Sequence, residues 1–266
     1  VTALERSDDV LVAVPSHAFR ASLEMIAAAG LDGRRLAWAT KGFELQTGRL
    51  PHEIVGEIFG ADLPAAVLSG PTFAQEVAAG LPSALTVASR DAEFARQLAQ
   101  RIATDSFRAY TSGDVVGVEV GGATKNVFAI GAGLCDGLGF GANTRVALIT
   151  RGLAEMTRLG VQLGAQRETF MGLAGIGDLV LTCTDDLSRN RRFGLALAQG
   201  SDAHSAMREI GQVVEGYFAA RAARDVALAH AVDMPIIEQI YRVLYEDLSP
   251  HEAVRELMRR PVSDER

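Results

Sequence analysis

Apolar positions follow two different patterns along this chain. Before residue 113, short unbroken apolar runs alternate with helically periodic segments. Val10–Val14, Leu36–Thr40, Ala65–Ser69, Ser83–Ser89 and Phe107–Tyr110 read as strands, and the stretches after His17, from Pro51 to Phe59, after Thr72 and from Asp91 to Thr104 read as helices. Strands apolar on both faces and separated by helices predict a doubly wound, Rossmann-like parallel sheet with right-handed crossovers. After Thr111-Ser-Gly113 the strand rhythm stops. Asn143–Leu163, a segment from Asp185 to near Gly200, Tyr217–Ala231, a segment from Pro235 and one after Ser249-Pro250 all carry helical signals. The expected fold is therefore α/β followed by all-α. The boundary is expected between residues 1–112, the carboxy-terminal portion of a doubly wound domain, and residues 113–266, a helical domain.

The stretch from Asp114 to Cys135 organises this pattern. Read at about 100° per residue, Val116, Val120, Val127, Ile130 and Leu134 share one stripe. Lys125 falls on the opposite side, beside Gly121, Gly122, Ala129 and Ala132. Glycine inside a helix costs about 0.5 to 1 kcal/mol relative to alanine, so something must offset that cost. Either another backbone packs close, with Lys125 snorkelling past it, or a ligand lies against the helix within reach of Lys125 and Asn126.

Composition narrows the choice of partner. A 266-residue chain with 48% hydrophobic content supports a sizeable core and two domains. A net charge of −7 argues against nucleic acid and against an anionic membrane surface. No run of about 18 apolar residues offers a membrane span. Cys135 and Cys183 form no CxxC, and the five histidines show no HxH or HExxH spacing, so no metal site is expected. Cytoplasm is the expected compartment.

In sheets of this kind ligands sit beyond the carboxyl ends of the strands. Three groups lie there: Pro15-Ser-His17, Thr40-Lys41-Gly42 and Ser69-Gly-Pro-Thr-Phe-Ala74. Thr72 and Gln75 have capping-box spacing, which would aim free N–H groups over the sheet, although simple turn chemistry fits the segment equally. Lys41 suits a cofactor phosphate or a polarised substrate oxygen, or else a solvated loop. In the helical half, glycines at 172, 175 and 177 lead directly to Asp178, placed to approach Lys125 or to cap a helix. Arg189, Arg191 and Arg192, with Ser188 and Asn190 among them, gather donors at a helix start, where an anion is favoured. The usual strand followed by GxGxxG is missing, and Gly137-x-Gly139-x-x-Ala142 follows a helix instead. Val1–Asp9 reads as the tail of a helix, so the chain is expected to lack the first strands of its nucleotide domain.

Taken together, Val14-Pro-Ser-His17, Ala39-Thr-Lys-Gly42, Ser69-Gly-Pro-Thr-Phe-Ala74, Gly121-Gly-Ala-Thr-Lys-Asn126, Gly175-Ile-Gly-Asp-Leu179, Ser188-Arg-Asn190 and Val213-Val-Glu-Gly216 make the chain resemble the bacterial NAD(P)-dependent glycerol-3-phosphate dehydrogenases over essentially its whole length. The resemblance implies hydride transfer between sn-glycerol 3-phosphate and dihydroxyacetone phosphate with NAD or NADP, supplying glycerophospholipid synthesis, in a homodimer. It implies Lys125 as general acid/base, with Asp178 and Asn126 beside it. It also implies a substrate pocket of Gly70, Thr72, Lys125, Asp178, Thr182, Ser188, Arg189 and Asn190, and cofactor contacts from Lys41, Ala74, Arg189, Val213 and Glu215. Two rival readings remain: a hydroxy-acid dehydrogenase of the same architecture, and a non-catalytic helical interaction fragment.

Overall fold

The computed structural model describes residues 7–30 and 33–259. Of the expected helical tail Val1–Asp9, residues 1–6 lie outside the described residues, and Asp9 opens a strand. Five strands, β1 (Asp9–Val12), β2 (Arg35–Trp38), β3 (Ala65–Ser69), β4 (Ser83–Ser89) and β5 (Phe107–Ser112), form one sheet in sequence order. Helices α1 (Ser16–Ala29) and α2 (Pro51–Phe59) follow the first two strands, and α4 (Ala92–Ile102) joins the last two. The pairings β1–β2, β2–β3 and β4–β5 are parallel.

The expectation of an all-parallel sheet needs one correction, because β3 and β4 run antiparallel, with Ser69 opposite Thr86 and Ala66 opposite Ser89. The helix between them, α3 (Ala74–Ala78), has only five residues. It rises about 7.5 Å, well short of the roughly 17 Å that a return to the start of β3 requires. The chain therefore re-enters beside the carboxyl end of β3. The capping box expected at Thr72 and Gln75 also fails, since Phe73 precedes α3 without a side-chain bond and the Thr72 hydroxyl donates to the Gly70 carbonyl at 3.3 Å.

Both faces of the sheet are covered. Val67 packs with Phe19, Leu23, Trp38 and Ile54, while Ala66 and Leu68 pack with Phe94 and Leu98 of α4. This alternation explains why the central strands read as continuous apolar runs.

The second half is built around α5 (Val115–Gly137), 23 residues long and buried from Val115 to Cys135 apart from Val116. Its first turn packs Val115 and Val118 against the sheet, and from Val120 onward it forms the axis of the helical core with Phe128, Met156, Phe170, Phe193 and Ile237. Around it lie α6 (Ala142–Gln162), a 3-10 turn (Arg167–Met171), a π-helical turn (Leu173–Gly177), α7 (Asp178–Thr184), α8 (Arg189–Ala198), α9 (Ala203–Ile210), α10 (Glu215–Ala229), α11 (Pro235–Tyr245) and α12 (Pro250–Met258). Sequence periodicity missed α9, whose eight residues are too few to set a period. No described helix is long and apolar enough to cross a membrane.

Of the α5 glycines, Gly121 and Gly133 let another backbone pack close, while Gly122 faces the Lys41 and Ser69 side chains. A Cβ on Gly121 would overlap the Ala174 carbonyl oxygen, and one on Gly133 would overlap the Arg191 carbonyl oxygen. One on Gly122 would lie 3.3 Å from both the Lys41 stem and the Ser69 hydroxyl. Ala129 and Ala132 are wholly buried. Lys125 does not snorkel between these neighbours; it is 8% exposed and held by a partner.

Candidate active site

Three separate elements deliver charge to one point. Lys41 stands three positions beyond the end of β2, where the Thr40 hydroxyl donates to the Val14 carbonyl at 2.7 Å and ties the ends of the first two strands together. Gly42 follows with φ at +123°, and a Cβ there would sit 3.2 Å from the Ser16 side chain, so this turn requires glycine. Lys125 projects from the middle of α5. Asp178 opens α7 directly after the π-helical turn, a form of helix that frequently marks a functional position.

The carboxylate of Asp178 accepts both ammonium groups. Lys41 Nζ lies 2.8 Å from Oδ2, and Lys125 Nζ donates to Oδ1. One turn on, the Thr182 hydroxyl donates to the Asp178 carbonyl oxygen at 2.5 Å and lies 3.4 Å from Oδ1. Lys41 also donates to the Gly70 carbonyl at 3.4 Å. Asp178 does not cap α7, whose preceding residue is Gly177, so its carboxylate is free for the lysines.

Electrostatics make Lys125 easier to deprotonate. Burial lowers its pKa; Asp178 opposes that effect, Lys41 adds to it, and the result is about 8. Burial would raise Asp178, but the two ammonium groups outweigh it and leave the carboxyl below its ordinary range. At neutral pH the arrangement holds one anion between two cations, one of which can give up its proton near physiological pH.

A second network adjoins the first through Asn126. Its amide donates to Glu215 Oε2 at 3.2 Å, and Asn190 Oδ1 accepts from the Gly216 backbone N–H at 2.8 Å. A Cβ on Gly216 would sit 2.6 Å from the Asn126 carbonyl oxygen, so the start of α10 is wedged between α5 and α8. Ser188 caps α8, accepting from the Arg191 N–H at 3.2 Å. Arg189 reaches Gln212 Oε1 at 3.2 Å, next to the half-exposed Val213. A hollow lined by Ser16, Lys41, Gly42, Asn126 and Glu215 joins the two networks.

The expected site residues thus separate into groups. Lys41, Gly70, Thr72, Lys125, Asp178 and Thr182 meet directly, Asn126, Asn190 and Glu215 form the adjoining network, and Ser188, Arg189 and Val213 lie at its rim. Ala74 opens α3 on an exposed face, outside both networks. The arginine cluster does not act as a unit. Arg191 is buried against Asp136 at 2.7 Å and also pairs with Asp186, while Arg192 is exposed, so Arg189 is the member turned to the site rim.

Sequence reasoning overlooked Glu119, a buried carboxylate on α5 that binds Trp38 and His52. Its position between Val118 and Val120 in an apolar run was the available signal. A cavity of about 1000 Å³ between α5, α6, α11 and α12 is lined by none of the site residues named above. Among the described residues no group of three or more His, Cys, Asp or Glu side chains is arranged to hold a metal ion.

A buried lysine between an α/β sheet and a helical unit, facing a second lysine at a strand's carboxyl end and sharing one carboxylate with it, is the arrangement of a two-part enzyme with a group able to exchange a proton near neutral pH. Comparison with known proteins gives the particular family. Profiles of the N-terminus and C-terminus of NAD-dependent glycerol-3-phosphate dehydrogenase match residues 1–95 and 114–255. The chain is 55% identical over 267 residues to a glycerol-3-phosphate dehydrogenase [NAD(P)+] of Shigella flexneri, covering 100% of this chain and 79% of that protein. A Vibrio cholerae protein of the same name is 54% identical over 265 residues, covering 99% of this chain and 77% of its own length. The crystal structure of glycerol-3-phosphate dehydrogenase from Coxiella burnetii superposes with a TM-score of 0.94 at 47% identity, over 97% of this chain and 79% of that one. The chain belongs to the NAD-dependent glycerol-3-phosphate dehydrogenase family.

Proposed function

We propose that the chain interconverts sn-glycerol 3-phosphate and dihydroxyacetone phosphate with NAD(P)(H), in the cytoplasm and as a homodimer, and so feeds glycerophospholipid synthesis. Family membership supports the reaction, and the observation that carries the mechanism is the shared hold of Lys125 and Lys41 on Asp178. We also place the division between the nucleotide unit and the helical unit at residues 112 and 113, between the end of β5 and the start of α5.

The nicotinamide cofactor supplies or accepts the hydride. The chemistry of the residues present fits such a group: Lys41 and the glycine-dependent turn at Gly42 stand just beyond the carboxyl end of β2, the edge of such a sheet at which cofactors bind. Lys125 gives its proton to the ketone oxygen as the carbinol carbon forms, and takes it back from the hydroxyl in the oxidative direction. Asp178 orients that ammonium, with Thr182 steadying the carboxylate. Lys41 opposes negative charge on the reacting oxygen. Ser188, Arg189 and Asn190 hold the substrate phosphate, with Arg189 as its cation. Gly70 and Thr72 line the pocket, and Ala74, Val213 and Glu215 contact the cofactor.

The deciding experiment follows NAD(P)H absorbance with dihydroxyacetone phosphate, with its dephospho analogue and with a 2-keto acid. Oxidation of NAD(P)H dependent on the phosphorylated ketone supports the reading; turnover of the keto acid alone, or of no substrate, overturns it.

A further inference from the structure

Two lysines on different elements must reach one carboxylate, and something must set the distance between those elements. Glu119 occupies that place. Its side chain is 1% exposed, and its two oxygens receive three donors. Trp38 Nε1 donates to Oε1 at 3.1 Å, the His52 backbone N–H donates to the same oxygen at 2.9 Å, and His52 Nδ1 lies 2.5 Å from Oε2. These donors come from the last residue of β2 and from the first turn of α2. A single carboxylate on α5 thus ties down β2 and ends α2, where unpaired N–H groups and the helix dipole favour an anion.

The clamp lies close to the chemistry on both elements. Glu119 precedes Lys125 by six positions, about 9 Å along a helix, and Trp38 precedes Lys41 by three, about 10 Å along an extended chain. Between clamp and lysines, α5 and the chain beyond β2 touch again where Gly122 meets the Lys41 stem. Burying a carboxylate is costly, and all three of its hydrogen bonds go to β2 and α2 instead of to groups on its own helix.

We propose that Glu119 is a positioning residue for the reaction: by holding Trp38 and His52 it fixes β2 against α5 and so sets the approach of Lys41 to Asp178 and Lys125. This rests on the dehydrogenase reading above. Loosening the clamp lets Lys41 withdraw, which removes a neighbouring positive charge from Lys125 and weakens support for the reacting oxygen. A misplacement on the order of 1 Å costs up to about a hundredfold in rate.

The test compares Trp38→Phe, Glu119→Ala and Glu119→Gln in the full chain, by steady-state kinetics and by nitrogen-15 NMR titration of the Lys125 side chain. Trp38→Phe keeps an aromatic side chain but loses the indole N–H together with its five-membered ring, a smaller disturbance than an uncompensated gap at Glu119, so it reports even where Glu119→Ala fails to fold. Glu119→Gln keeps an acceptor for Trp38 and the His52 N–H without the charge. We expect Trp38→Phe and Glu119→Ala to lower kcat about tenfold, with KM for the phosphorylated substrate changing less than about twofold, and to move the Lys125 titration upward. Glu119→Gln should keep kcat and the titration near wild type. The proposal is overturned if Trp38→Phe leaves both unchanged, or if Glu119→Gln is as damaging as Glu119→Ala, which would make the charge rather than the clamp decisive. Failure of the dehydrogenase reading would show separately, as absent turnover in the wild-type chain, while the NMR titration still reports the clamp.

Discussion

Lys41 and Lys125 hold opposite oxygens of the Asp178 carboxylate, Lys41 at 2.8 Å from Oδ2 and Lys125 on Oδ1. The two ammonium groups stand on segments 84 positions apart, one beyond a strand and one inside a buried helix. Lys41 makes Lys125 harder to charge, and the carboxylate keeps both ammonium groups in place.

Replacing Lys125 with Met keeps most of the buried stem and removes the acid/base. Kcat should fall by roughly 10² to 10⁴, with the circular dichroism spectrum unchanged. A rate within about twofold of wild type, where general acid–base catalysis contributes at least about 100-fold, would remove Lys125 from the mechanism.

The pH profile follows from the same group. Ketone reduction needs Lys125 protonated, so its kcat should fall as pH rises through about 8; alcohol oxidation needs the free amine and should rise over the same interval. Stopped-flow or steady-state rates in both directions check the sign. Profiles that move together would assign the titration to another group.

Arg189→Ala should raise KM for the phosphorylated ketone far more than for its dephospho analogue, since a charge-assisted phosphate contact is lost and no other substrate contact is touched. Equal changes for the two substrates would remove the phosphate role.

Gly121→Ala tests the packing that places Asp178. The added methyl overlaps the Ala174 carbonyl oxygen, so the π-helical turn has to move and carry Asp178 with it. Overpacking of this kind costs about 1 to 3 kcal/mol, and urea unfolding should show that loss together with reduced kcat. Gly56→Ala, where a Cβ meets nothing within 4 Å, serves as the control.

Glu155 predicts a pH effect on stability remote from catalysis. Burial raises its pKa from 4.5 to about 7, although the Ile236 and Ile237 backbone N–H groups donate to it. Between those two values the folded chain keeps a proton that the unfolded chain has released. Stability is therefore greatest below about pH 4.5 as far as this group is concerned, and declines as pH rises through 7, by about 3 kcal/mol at most. Denaturant unfolding at pH 5 and pH 8 should show a smaller decline in Glu155→Gln than in wild type.

Local pattern alone carried a large part of this protein. The both-faced apolar runs marked the strands, the long apolar periodicity of α5 marked the central helix, and the glycines before Asp178 marked the turn that brings it to Lys125. These features are legible because burial and helix-end chemistry act through near neighbours in the chain. Contacts between distant segments were decided in three dimensions: the reversal of β4, the packing of the Ala174 backbone on Gly121 and of the Arg191 backbone on Gly133, the diversion of Arg191 to Asp136, and the clamp of Glu119 on Trp38 and His52. Sequence spacing placed Lys125 on a face of a helix, but only the packing of α7 and the end of β2 against that face gave it a partner and a lowered pKa.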